Sequence, residues 1–461
     1  MRPPWWRFAV AVRWMAGAAI FLSGSAWAAI ELDMDIRQVQ MIGDAKDPQR
    51  QETVTGFRVA LGATWSDTVG NGRREIHDYA NRRIVDLDPE KKVMDDRSLY
   101  GPVAFRVMET ANRRMIREVM AKAMPAGRAV TEAEQRLATE HELSLRESQL
   151  KGGTGGPALV VRDEVDGRHW SDGRRELAFA SRNGFDLPER DRPSYGRWLR
   201  SIHSLHPDIV QALVAGGKVP ARLEARYYSL DNLRGELTVA VKAVRVLPDD
   251  AIPAPYSAEP LPPQGPGLES ALAKARAQPA DGFQARRRLA ERTAADALNA
   301  GRIMEGVAAV LEASIITGDG GLGSALAGHR DEIANDGAAA TLMAAIGAVP
   351  KDRAAAKAQA DRLRDARAAF VTPALKGVEA NLRQGAGDVR EAEKLLVEAV
   401  DAEPYLIGAW MDLGRLYYGQ YRTIQAWRCW DAARRLAPGH PMTREIDDLE
   451  KRLAAGFPEF F

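Results

Sequence analysis

Gly318-Asp319-Gly320-Gly321-Leu322-Gly323 fits the spacing G-x-G-x-x-G, whose glycines let a pyrophosphate approach a helix N-terminus in a dinucleotide site. That chemistry needs a strand before the loop. Met304 to Ile316 has helical periodicity instead, and no strand follows within the ~30 residues of a βαβ unit, so a loop is expected. Lys151-Gly152-Gly153-Thr154-Gly155-Gly156 lacks the G-K-[ST] ending of a phosphate cradle and reads as a flexible connector. His203, His206 and Asp208 are metal-ligand types, but Pro207 breaks the segment and no further ligands have helpful spacing, so capping or surface roles are expected. His141-Glu142 lacks the second histidine of a zinc-protease helix, and Ser324 sits as a helix N-cap rather than in a G-x-S-x-G elbow. No nucleophile, base and orienting group assemble from neighbouring motifs. The expectation is a chain that is not an enzyme, with no catalytic residues, no metal and no cofactor.

The elements that would carry any site start after a targeting signal. Arg2, Arg7 and Arg13 precede the apolar run Trp14 to Leu22, and Ala26-Trp27-Ala28 is an A-x-A cleavage site, so residues 1–28 are expected to be a removed signal peptide. The run is shorter than the ~20 residues a spanning helix needs, and no transmembrane segment should remain after cleavage. No cysteine lies near the site for lipidation, and the paired arginines of a twin-Arg signal are missing, so a periplasmic or secreted protein exported unfolded is expected. With 461 residues, 45% apolar and 28% charged, the chain should form two or three domains. Lys plus Arg number 64 against 63 Asp plus Glu, which provides no basic field to gather nucleic acid. Cys429 is the only cysteine, so no internal disulfide can form, and its place beside Trp430 suits a packed thiol.

Between Ile407 and His440, Trp410, Leu413, Gly414, Tyr417, Ala426, Trp430, Ala433 and Pro438 follow the W-x2-L-G-x2-Y…A-x3-F…P spacing, with Trp430 in place of Phe. Trp410, Leu413 and Tyr417 stand at i, i+3 and i+7 and line one face of a first helix. Gly414 lets a second helix approach, Ala426, Trp430 and Ala433 stripe that helix, and Pro438 stops it. Upstream, Ala392, Leu396, Ala399 and Pro404 occupy second-helix positions after a Gly387-Asp388 turn. Ala338, Leu342, Ala345 and Pro350, and then Gly306, Val310, Ala313 and Gly318, repeat the spacing more loosely, also as second helices. Lys351 to Thr372 breaks the rhythm as one extra alanine-rich helix ended at Pro373, and Thr443 to Ala454 reads as a cap helix. In these residues the C-terminal part, 268–461, resembles the tetratricopeptide repeat proteins.

That resemblance implies a helical solenoid whose first helices line a concave groove for a peptide or partner helix. The inward positions would be Ala374, Asn381, Gln384, Met411, Arg415 and Tyr418. Asn381 would pair with an extended backbone, Arg415 with a carboxylate, and Tyr418 would supply an aromatic anchor. Gly377 and Met411 stand where the carboxylate-clamp subtype has lysines. The alternative is that the groove packs against the N-terminal domain or the extra helix.

The region 29–247 reads differently. Thr53 to Leu61, Arg73 to Asn81, Arg82 to Asp86 and Lys92 to Asp96 are expected strands of a meander, with Asp88-Pro89-Glu90 as one turn. A helical stripe runs Val103, Val107, Ala111, Met115, Val119, Ala123. Then come a strand Ala158 to Val165, a turn Asp166-Gly167, helices around Tyr195 to His203 and Pro207 to Val214, and strands Leu223 to Ser229 and Glu236 to Val246. An antiparallel sheet with covering helices is the simplest arrangement, giving an α+β fold class overall. Pro248 to Pro266, rich in proline, is expected as the linker 248–267. The charged hairpin Asp78 to Tyr100 leading into a helix resembles periplasmic half-barrels of the lipoprotein-carrier type, which would imply an apolar cleft able to hold an acyl chain. Met108, Met115, Met120 and Met124 would line it, although methionines at helical spacing also suit an ordinary core.

The leading expectation is therefore an exported scaffold that binds a protein or peptide partner in an envelope assembly. The alternative is a carrier or sensor for a lipid or other apolar ligand. Mass spectrometry of the chain recovered from its native envelope is expected to find Ala29 at the N-terminus; a chain still carrying Trp14 to Leu22 contradicts cleavage.

Overall fold

The computed structural model describes residues 29–42, 49–108, 111, 159–202, 205–229, 232–247, 259–260, 267–279, 281–318, 322–347, 350–367 and 372–461. The signal segment, Met115, Met120, Met124, His141-Glu142, the glycine run at 151–156, His203 and most of the proline segment lie outside the described residues. No helix among the described residues is long and apolar enough to cross a membrane.

The first half is a large antiparallel sheet. Its described strands are β1 (Ile30–Ile42), β2 (Gln49–Leu61), β3 (Trp65–Gly70), β4 (Arg73–Asp78), β5 (Arg83–Asp88), β6 (Val93–Ser98), β7 (Val160–Asp163), β8 (Gly167–Ser171), β9 (Glu176–Ser181), β10 (Gly184–Asp186), β11 (Lys218–Pro220), β12 (Arg222–Ser229), β13 (Asn232–Val246) and β14 (Glu259–Pro260). Twelve of them order as β14-β6-β5-β4-β3-β2-β1-β13-β12-β9-β8-β7, while β10 and β11 pair separately. The long central strand β1, absent from the expected set, alternates cleanly: Ile30, Leu32, Met34 and Ile36 are buried, and the residues between them carry charge. On the polar face those charges pair across strands, Lys242 with Asp35 at 2.7 Å and Arg37 with Glu52 at 2.7 Å. The strand β3 was also unexpected, although Asn71 and Gly72, both at positive φ, form the two-residue turn that joins it to β4. The expected strand Arg73 to Asn81 ends at Asp78, whose carboxylate accepts from the Asn81 backbone and side chain and turns the chain.

Helices α1 (Arg192–Ile202) and α2 (Pro207–Ala215) cover the apolar face. Tyr195, Trp198, Leu199, Ile209 and Val210 pack there against Leu32, Met34, Leu61 and Trp170. Trp198 keeps its indole N–H satisfied by donating to Thr68 Oγ1 at 3.1 Å. Within the expected linker, β14 joins the sheet edge by parallel pairing with Val93 and Met94.

The second half is helical: α3 (Leu268–Ala277), α4 (Gly282–Asn299), α5 (Ile303–Thr317), three short helical pieces within 322–335, α6 (Gly337–Gly347), α7 (Arg353–Arg367), α8 (Pro373–Ala386), α9 (Val389–Ala402), α10 (Ile407–Gly419), α11 (Thr423–Leu436) and α12 (Arg444–Gly456). Consecutive hairpins α6–α7, α8–α9 and α10–α11 pack side by side, with α12 beyond them. One expectation needs correction. The alanine-rich α7 is the second helix of a hairpin, and Ala338 to Ala345 belongs to its first helix, because α7 packs against both α6 and α8. The helix α5 is the second helix of a hairpin with α4, joined through the turn at Gly301, but instead of stacking in line with the hairpins that follow it lies across the first helices α6, α8 and α10.

The last hairpin is closely packed. Trp410 and Trp430 are both buried, donating to the carbonyls of Pro404 (2.9 Å) and Met411 (3.3 Å). A methyl group on Gly414 would collide with the Trp430 indole. The same hairpin docks on the sheet through α11: Thr423 Oγ1 donates to the Gly101 carbonyl at 2.7 Å, and Arg83 bridges Asp431 (2.7 Å) and Asp96 (2.8 Å). Phe460 plugs a cluster of Tyr79, Ile84, Leu99 and Val103. Gly414→Ala is expected to cost about 1–3 kcal/mol in urea unfolding through overpacking. Gly377→Ala, whose methyl meets open space, should cost nothing and gain up to roughly 1 kcal/mol of helix propensity. Equal midpoints for the two variants contradict the close approach.

Candidate functional site

The faces of α6, α8 and α10 that would line a concave groove are not empty. Helix α5 rests across them, and its approach to α10 is permitted by Gly408, where an added Cβ would stand 3.1 Å from Ile315 Cγ2. The C-terminal end of α5 is fixed by His440. Its Nε2–H donates to the Ile316 carbonyl at 3.1 Å, while Nδ1 accepts from the Met442 backbone N–H at 3.3 Å and caps the turn into α12. Gly318, in the left-handed conformation, closes α5 against that imidazole.

Beside this contact the three helices α5, α8 and α10 leave an open cavity of about 350 Å3. Ile315, Val378, Leu406 and Met442 form apolar wall, and Gly377 leaves it unfilled. At the polar end, Asn381 Nδ2 donates to Asp412 Oδ2 at 2.8 Å. Arg415 continues the line, Nη1 to Asp412 Oδ1 at 2.6 Å and Nε to Glu445 Oε1 at 2.9 Å. A rail of side chains, Asn381, Asp412, Arg415 and Glu445, thus crosses from α8 over α10 to α12.

The expected groove residues divide accordingly. Asn381, Gln384 and Arg415 are exposed on that surface, and Ala374 is buried in the cavity wall. Met411 is fully buried and so offers no side chain to a partner. Tyr418 is half-buried, its ring 5.9 Å from Trp427 and 5.8 Å from Trp430, filling the space between α10 and α11. Gly408 and Asp412, at i and i+4 on α10, line the cavity beside α5, one step along from Met411. Asp412 and Glu445 were missed. Their signal was available in the spacing of Asp412 three residues before Arg415 on one helix.

Elsewhere the discounted chemistry resolves into structural roles. His206 caps α2 by accepting from the Asp208 backbone N–H at 3.2 Å, and Asp208 is its other neighbour. Cys429 is buried, and burial pushes its thiol well above the usual range, the opposite of a reactive site. Glu164, Asp166 and His169 bring three possible ligand atoms within 4.8 Å of one another. Both ring nitrogens of His169 already bond carboxylates, Glu176 and Asp166, and the Glu176 bond raises its pKa, which favours an imidazolium that cannot bind metal.

No protein-family model and no curated protein matches this chain. Among solved structures, a chain described as "Lipid-protein interactions in lipovitellin" aligns with 11% identity and a TM-score of 0.16, covering 95% of this chain and 56% of that one. A superposition that poor describes no shared fold.

The His440 clamp gives a pH dependence. Burial lowers its pKa below the usual value, against the raising effect of its bond to Ile316. The unfolded chain therefore takes up a proton near pH 6.5 while the folded chain stays neutral, so the clamp's contribution is complete above that pH and declines as pH falls through it. The drop in urea midpoint from pH 7.5 to pH 5.5 is expected to be smaller in His440→Asn than in the parent. An unchanged drop contradicts the clamp.

Proposed function

We propose that this chain is an exported interaction protein in which a tetratricopeptide-like helical array, carried on the sheet domain, holds a protein or peptide partner of a cell-envelope assembly. No cofactor and no catalytic step belong to this role. The observation that carries it is the half-filled groove: three first helices in a row, a resident helix across them, and an open apolar cavity edged by Asn381, Asp412 and Arg415. Gly377 leaves open space on α8 within the cavity, and the exposed Gln384 and Arg415 offer polar contacts beside it. Docking to the sheet uses α11 and the Phe460 turn, so it does not consume the first-helix face.

The carrier alternative has less support. It requires room on the apolar face of the sheet, and there Tyr195, Trp198, Leu199 and Val210 fill the layer beneath α1 and α2.

Capture by the tagged full-length chain in its native envelope, after chemical crosslinking, tests the proposal. Gly377→Leu, which places bulk in the cavity, is expected to lose the partner while remaining folded by circular dichroism. A partner retained by Gly377→Leu, or lipid co-purifying in place of any protein, would overturn it.

A further inference from the structure

The cavity between α5, α8 and α10 has a definite chemistry, and resting on the interaction reading above, we propose that its occupant is a basic amphipathic peptide: one apolar side chain enters the cavity and a lysine or arginine lies along the Asp412–Glu445 rail. Three observations lead there.

The size comes first. About 350 Å3 lies at the small end of ligand sites, room for one or two side chains of leucine, methionine or phenylalanine size rather than a folded surface. The wall is apolar, with Ile315, Val378, Leu406 and Met442, and Gly377 contributes an open gap, since nothing stands within 4 Å of where its Cβ would be.

Charge is the second. Asp412 and Glu445 are two carboxylates that both pair with a single guanidinium, that of Arg415. Arg415 occupies Asp412 Oδ1 and Glu445 Oε1, and Asn381, a neutral donor, occupies Asp412 Oδ2. The rail therefore carries one net negative charge. Glu445 is nearly half exposed, its side chain at 46%, so its second oxygen faces an incoming cation without first being stripped of solvent. An acidic peptide would instead meet two carboxylates at this rim, and that repulsion selects against it.

The third is continuity. The cavity is the unfilled extension of a helix-in-groove contact that α5 already makes with the same two helices. Along α8, Ala374, Gly377, Val378 and Asn381 fall at i, i+3, i+4 and i+7, and along α5 so do Leu311, Ser314, Ile315 and Gly318. A short amphipathic segment continues that packing, its apolar residue and its basic residue one helical turn apart.

A random 16-residue peptide display library, selected on the full-length chain and counter-selected on Gly377→Leu, tests this. Survivors are expected to pair Leu, Met or Phe with Lys or Arg three or four positions away. A synthetic survivor should bind at least fivefold more weakly to Asp412→Asn, and more weakly in 500 mM than in 50 mM salt, with circular dichroism showing both variants folded. Survivors that are neutral or acidic, or that bind Asp412→Asn and high salt unchanged, overturn the basic-peptide proposal and leave the groove reading standing. Peptides that bind the chain and Gly377→Leu equally, or a library that yields none, overturn this proposal as well, and equal binding to Gly377→Leu removes the cavity from the groove reading too. Gly377→Ala, which fills less of the gap, is expected to fall between parent and Gly377→Leu.

Discussion

The rest of the helical half depends on one close approach, the Trp430 indole laid against the backbone of Gly414. With no Cβ on the first helix, the second comes near enough for Trp430 to donate to the Met411 carbonyl and for Trp427, Trp430 and Tyr418 to meet as one aromatic cluster. Truncating a buried indole typically costs about 3–5 kcal/mol, comparable with a large share of a domain's whole stability. Cys429, Ala426 and Ala433 face inward beside Trp430, while Asp412 and Arg415 are turned out toward α5 and α12.

A second constraint fixes how the helices sit on the sheet. A Cβ added to Gly101 would stand 3.1 Å from Ile424 Cα, and Thr423 donates to the Gly101 carbonyl. Tyr100 stacks on Trp427 and touches Phe461, so the helical turn that follows β6 shares one apolar cluster with the last hairpin. Because this seam uses α11 and the C-terminal turn, the opposite faces of α8 and α10 remain for α5 and for the cavity. Architecture thus separates the structural side of the array from the side that is available for recognition.

Much of this was legible in the residues. The spacing of Trp410, Gly414 and Trp430 fixes the last hairpin, since only a glycine lets an indole pack there, and Gly387-Asp388 marks the preceding turn, with Gly387 left-handed and Asp388 capping α9. Pro438 follows the end of α11 as expected, whereas α7 is described only as far as Arg367, short of Pro373. What escaped was non-local. The alternation of β1 is plain, yet its place at the centre of the sheet depends on pairing with β13, two hundred residues away along the chain. Helix α5 has the same small-and-large spacing as a repeat helix, and only tertiary contact shows it lying across the first helices. Met411 and Asp412 are neighbours, so a small rotation of α10 about its axis decides which one the groove sees; the indole at Trp410 sets that rotation, and repeat spacing alone does not.

The central claim is that recognition belongs to the first-helix face beside α5. Hydrogen–deuterium exchange of the full-length chain, with and without its captured partner, tests it most directly. The account predicts that binding slows exchange in Pro373–Ala386 and Ile407–Gly419 while the strands Ile30–Ile42 and Asn232–Val246 are unaffected. Slowed exchange confined to the sheet or to α1 and α2, with α8 and α10 unchanged, would contradict it.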